Sequence, residues 1–137
     1  MLKKFHPKFF FTHDEIDQIA EAIREIELKS TGKISIYLEW QCPVTDPFSR
    51  AIKLFHTLNI HKLPQKNGLF IYLATKQRLF AVIADQNLNE KIGPDLWAAL
   101  QPLLEIRFRN NHFLSAILLI LEQIGKKMVE GFPAKTI

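Results

Sequence analysis

The sequence is poor in the residues by which catalytic and metal centres are usually recognised. One cysteine, Cys42, stands among 137 residues. No internal disulfide can form, and no cysteine and histidine cluster supports a zinc ribbon or an iron-sulfur centre. The five glycines form neither GxGxxG nor the phosphate-binding GxxxxGK loop, and HExxH, GxSxG, the EF-hand calcium loop and the deaminase set are missing too. Those absences argue against the mechanisms such motifs serve. Long hydrophobic runs are also lacking. The longest, FLSAILLIL, is too short to cross a bilayer and reads as part of a buried helix. The basic start MLKKFHPK leads into FFF, which THDE interrupts at once, so it makes neither a signal-peptide core nor a transmembrane span. A soluble cytoplasmic protein is expected, and a lone cysteine fits a reducing compartment.

Acid is missing from one stretch. Residues 50–80 carry six bases, Arg50, Lys53, Lys62, Lys66, Lys76 and Arg78, and no acid, whereas residues 13–29 carry six acids against Arg24 and Lys29. With a formal net charge of +4, this asymmetry suits an anionic protein partner or head-to-tail association. Arg50, Lys62 and Lys66 are the partner-binding candidates. No basic helix or aromatic-interleaved strand pair points to nucleic acid.

What is present builds one domain. The hydrophobic fraction of 47% suffices for a core in a chain of this length. Thr12 and Glu15 form a capping box, with Phe11 and Ile16 as a staple. Ile16, Ile19, Ala20, Ile23 and Ile26 then share one helical face. KISIYLEW alternates as a strand. Asp46 and Pro47 read as the cap and first residue of a second helix, with Ala51, Leu54, Phe55 and Leu58 inward. After a turn at Asn67 and Gly68, LFIYLAT is apolar on both faces, as a central strand is. KQR is too short for a crossover, so LFAVIAD returns antiparallel. A third helix is expected from Gly93 and Pro94, bent or divided at Pro102, and a fourth over about 112–129. Residues 12–133 are expected to form the domain, with an extension at 1–11 and a tail at 134–137. This order gives a small mixed sheet with one antiparallel hairpin, covered by helices on both faces.

Asp85 is the leading site candidate because it ends a hydrophobic strand, where open sheets tend to bind ligands. The same position suits an Asx turn or a helix cap. Asn87, Asn89 and Glu90 add oxygens beside it, and Asp46, if it lies at the same sheet end, completes a weak calcium site of Asp46, Asp85 and Glu90. Glu90 also suits the first turn of a helix. His56 and His61, five residues apart, are poorly spaced for one helix face and read as surface or packing residues. Cys42 reads as a strand-exit cysteine rather than a nucleophile.

Four segments carry a family resemblance: STGKISIYLE, DPFSRAIKLFHTLNIHK, QKNGLFIYLATKQRLFAVIAD and NLNEKIGPDLW. In this order and spacing the chain resembles the TPM domain family, most of all its short bacterial members. The resemblance implies a three-layer alpha-beta-alpha sandwich. It also implies a modest functional range, since calcium binding and acid phosphatase activity have been attributed to plant members. The family's strand-end acid corresponds to Asp85, and the residue in the loop before the second helix to Asp46. Relatives usually place glycine before and shortly after the strand-end acid, where this chain has Ala84, Gln86 and Asn87. They also tend to carry glycine where it has RNNHFLSAI. Two functions are therefore expected in competition: a non-catalytic interaction or assembly module, and a calcium-binding domain with phosphomonoester hydrolysis assisted by the metal.

Overall fold

The structure is a computed structural model and describes residue 7 and residues 10–135. Most of the basic start and the last two residues of the tail lie outside the described residues. Helix α1 (His13–Lys29) begins with the expected capping box. Thr12 Oγ1 accepts from Glu15 N–H at 3.1 Å, and Glu15 Oε1 accepts from Thr12 N–H at 2.9 Å. Ile19 is buried on the inner face, but Ile16 remains 47% exposed, so the apolar stripe meets the core only from its second turn. Phe10 and Phe11, before the cap, pack against that core.

Strand β1 (Ile34–Glu39), β2 (Leu69–Ala74) and β3 (Leu79–Ala84) lie in that order. Ile34 pairs with Leu69 in parallel register, and Leu69 pairs with Ala84 in antiparallel register. The sheet is therefore mixed, and β2, apolar on both faces in the sequence, is wholly buried. Its alternate residues separate two cores. Leu69, Ile71 and Leu73 face α1, α3 (Gln86–Arg109) and α4 (Phe113–Gly131), while Phe70, Tyr72 and Ala74 face α2 (Pro47–Thr57). On the larger side α4 packs against both α1 and α3. This is the expected three-layer sandwich.

Two boundaries move. The third helix starts at Gln86, with Asp85 as its cap, because the NLNE segment following β3 is itself helical. The interruption falls at Gly93, whose φ of 76° and ψ of 159° are open to glycine at little cost. Pro102 stays within the helix. The turn into β2 also shifts upstream of Asn67 and Gly68. Lys66 takes the positive φ of 50°, and Asn67 is buried with its amide nitrogen donating to Thr31 Oγ1 at 3.0 Å. A Cβ on Gly32 would lie 2.9 Å from the Asn67 carbonyl oxygen, so glycine lets these two loops approach.

Candidate functional site

Strand direction decides which acids can meet. Asp85 leaves β3 at the end where β1 and β2 begin, because β3 is antiparallel to both. Asp46 follows the opposite end of β1. The strand ends they follow are separated by six residues of sheet, about 20 Å. The sequence left open whether the two acids share a sheet end; the hairpin puts the strand ends they follow at opposite ends, because the second of its strands must finish where the first began.

Both acids are helix caps. Asp46 Oδ1 accepts from Phe48 N–H at 3.1 Å, and its Oδ2 accepts from Ser49 N–H at 3.3 Å and Ser49 Oγ at 2.8 Å. The Ser49 hydroxyl, followed by the Phe48 amide, holds the Asp46 carboxyl below its usual range. Asp85 Oδ1 accepts from Gln86 N–H at 2.7 Å, while its Oδ2 is buried with no hydrogen-bond partner. Glu90 lies exposed on the first part of α3. Among the described residues, no group of three or more His, Cys, Asp or Glu is placed to hold a metal ion.

The principal charge cluster lies elsewhere, at the far end of β1. Arg50 Nη2 donates to Glu39 Oε1 at 2.6 Å, and Arg50 Nε donates to Glu39 Oε2 at 3.1 Å. The buried Tyr72 hydroxyl donates to Glu39 Oε2 at 2.6 Å. The two-pronged bond from Arg50, helped by Tyr72, holds the Glu39 carboxyl low. Burial, then the bond to Glu39, pushes the Tyr72 phenol far up, so it remains a neutral donor. Both Glu39 oxygens and the arginine fork are engaged, which makes the cluster a clasp between α2 and the sheet rather than a general base. The sequence hint was Glu39 itself, an acid at the end of an apolar strand. Its partner sits eleven residues away on a helix, a relation no local pattern reveals.

Arg50 is therefore occupied internally and leaves the set of free partner-binding cations. The rest of the basic stretch is divided, because β2 separates Lys62 and Lys66 before its start from Lys76 and Arg78 beyond its end. Lys66 Nζ donates to the His61 carbonyl at 2.8 Å, Arg78 donates to Asn111 Oδ1 at 3.1 Å, and Lys76 lies 5.4 Å from the Trp40 ring centroid. Charge continuous in sequence is thus discontinuous in space. The opposite happens to His56 and His61. Helix α2 ends at Thr57 and Asn59 turns left-handed with φ 62°, bringing the two rings to 4.7 Å between centroids. Helical spacing did not apply across that break.

A groove follows the free edge of β3. It has a volume of about 570 Å3 and is lined by the strand from Phe80 to Ala84, with Pro47 and Phe48 on the α2 side and Trp97 on the α3 side. Trp97 Nε1 donates to Asn89 Oδ1 at 2.7 Å, which pins the indole. Phe48, on the α2 side of this groove, and Ile52 on the same helix are 52% and 37% exposed, and Val44 in the loop before α2 is 49% exposed.

The sandwich and its segment order define a class, and comparison with known proteins assigns it. The chain belongs to the TPM domain family, whose sequence profile matches residues 7–127. It is similar in structure to the BA42 protein of the psychrophilic bacterium Bizionia argentinensis, solved by NMR. The TM-score is 0.80 at 28% identity, covering 93% of this chain and 87% of that one. The N-terminal domain of the cg2496 protein from Corynebacterium glutamicum shares the fold, with a TM-score of 0.68 at 12% identity over 93% of this chain and 80% of that one. No curated protein matches the chain. Among the described residues, no helix is long and apolar enough to cross a membrane.

Proposed function

We propose that this chain is a non-catalytic TPM domain that binds a protein partner or supports an assembly. The exposed pair Phe48 and Ile52 carries this reading. Phe48 and Ile52 are four residues apart on one side of α2, and large apolar side chains grouped in this way favour a partner's surface over water. Lys62 supplies a cation without an ion pair among the described residues, and Lys66 stands near it in the chain. Asp46 and Asp85, by contrast, serve as helix caps.

The test is affinity capture from cell extract with the full chain, quantified by mass spectrometry. A Phe48→Asp/Ile52→Asp pair is expected to lose the specific partner at least tenfold, and a Lys62→Glu/Lys66→Glu pair to weaken its capture. Asp85→Asn is expected to leave capture unchanged, since asparagine also caps helices well. Capture that persists undiminished in both surface variants would sink the proposal.

A second reading, a divalent-cation site, is favoured by the unpartnered Asp85 Oδ2. With Asp46 following the far end of β1, it rests on Asp85 and Glu90. Asp85 Oδ2 and the Glu90 carboxylate are few for calcium, which takes six to eight oxygens, so the remaining ligands would be carbonyls and water. Titrating labelled protein with calcium and then magnesium is expected to give saturable amide shifts at residues 85–90, removed by Asp85→Asn. No clustered shifts at millimolar metal would end this reading, and with it the metal-assisted phosphatase.

A further inference from the structure

The β3 edge differs from the β1 edge in how its backbone is protected. Asp85 N–H donates to the Gly68 carbonyl at 2.9 Å. In an antiparallel register this makes Ile83 with Phe70 and Ala81 with Tyr72 the hydrogen-bonded pairs. The N–H and C=O groups of Phe80, Val82 and Ala84 consequently point away from β2. Among the described residues no strand lies beyond β3. At the other edge, Leu69 N–H donates to the Lys33 carbonyl, so Ile34 points its amide outward, where Glu27 Oε2 accepts it at 2.9 Å. That carboxylate covers the start of β1.

Among the described residues, strand β3 has no such cover. Its sequence LFAVIA contains no lysine, proline or other edge-blocking residue, and its pairing with β2 runs six residues without a bulge. Bare, flat apolar edges recruit another strand, which is why proteins usually blunt them. Here the edge is recessed between Phe48 of one helical layer and Trp97 of the other. The recess suits one extended chain better than a second copy, which would bring its own two helical layers to the same edge. Among the described residues, Asp46 is the charged residue lining the groove, beside the neutral Asn89 and Gln101, and no cation lines it.

We infer that the β3 groove binds an extended peptide segment of a partner protein as a fourth strand, with apolar side chains at alternate positions and a lysine or arginine reaching Asp46. This rests on the interaction-module reading and names its site. The peptide backbone would bond to Phe80, Val82 and Ala84, the strand-addition mode of recognition. Its side chains would pack alternately toward Phe48 and Trp97.

The experiment selects binders from a displayed peptide library against the full chain. An enriched synthetic peptide is then titrated into labelled protein. The expected sequences alternate apolar residues and carry a basic residue. Binding should shift the Phe80, Val82 and Ala84 amides and slow their hydrogen exchange. Asp46→Asn, which preserves the cap, should weaken binding severalfold. Val82→Pro should abolish it, since proline at an outward-facing edge position removes a donor without breaking the β2 ladder. Peptides N-methylated at single positions avoid any folding question: methylation at alternate residues should cost at least tenfold, and methylation between them little. Uniform tolerance of methylation, shifts confined to another surface, or no enriched peptide would overturn the inference. So would a concentration-dependent dimer joined at β3, or shifts of these three amides on deleting residues 1–9. Loss of partner capture only in the Phe48→Asp/Ile52→Asp pair, with none in Val82→Pro, would reject the groove while sparing the interaction-module reading.

Discussion

Phe108→Ala is expected to destabilise the fold by about 3–5 kcal/mol, the range for emptying a buried aromatic site. Phe108 is 1% exposed near the end of α3, and its ring stacks on Phe80 at 4.3 Å between centroids. Phe113, at the start of α4, stands 6.2 Å from it. One side chain thus joins β3 to the α3–α4 turn, and its loss leaves a cavity whose walls belong to three elements and cannot close together. Urea unfolding provides the measurement: the midpoint should fall steeply at nearly constant slope. Leu103→Ala, on a side chain 43% exposed, should cost about 1 kcal/mol or less. Equal losses at the two positions would contradict the packing described.

The second large effect concerns Glu39. Removing its carboxylate strands the Arg50 guanidinium, 20% exposed, together with the buried Tyr72 hydroxyl. A cost of about 2–4 kcal/mol is expected for Glu39→Ala, mostly from the two donors left without an acceptor. Glu39→Gln tests the charge separately. Because the folded state holds the carboxyl below its ordinary value of 4.5, the unfolded state binds more protons in acid. The stabilisation is therefore complete above about pH 4.5 and is lost as pH falls through the lower folded value. The stability gap between wild type and Glu39→Gln should be widest near neutrality and shrink below pH 4.5. A gap constant from pH 7 to pH 3 would show that the charge contributes nothing.

Local rules made much of this protein legible. The Thr12 and Glu15 box, the Asp46 and Pro47 start and the two-sided apolar run of β2 each depend on neighbours within a few residues, and each occurs where the sequence placed it. Gly93 and Pro94 do open a helical segment, as their residue types suggest; the short helical segment before them, capped by Asp85 and ended by the non-helical Gly93, is what the sequence did not reveal.

The candidate sites were less legible because they depend on which strand ends meet. Asp85 and Asp46 both follow strands, so the sequence offers them as neighbours; the antiparallel return of β3 places the strand ends they follow at opposite ends of the sheet. Arg50 looked like one of six free cations until the packing of α2 on the sheet gave it Glu39.

The sequence by itself determined the order of elements, the layers they form and the family, because periodicity, caps and short connections act within a few residues. Only the tertiary structure decided that Arg50, Glu39 and Tyr72 close on one another, that the basic stretch divides around β2, and that β3 keeps a bare edge between Phe48 and Trp97. Those features join residues distant in sequence, and strand direction and helix packing alone bring such residues together.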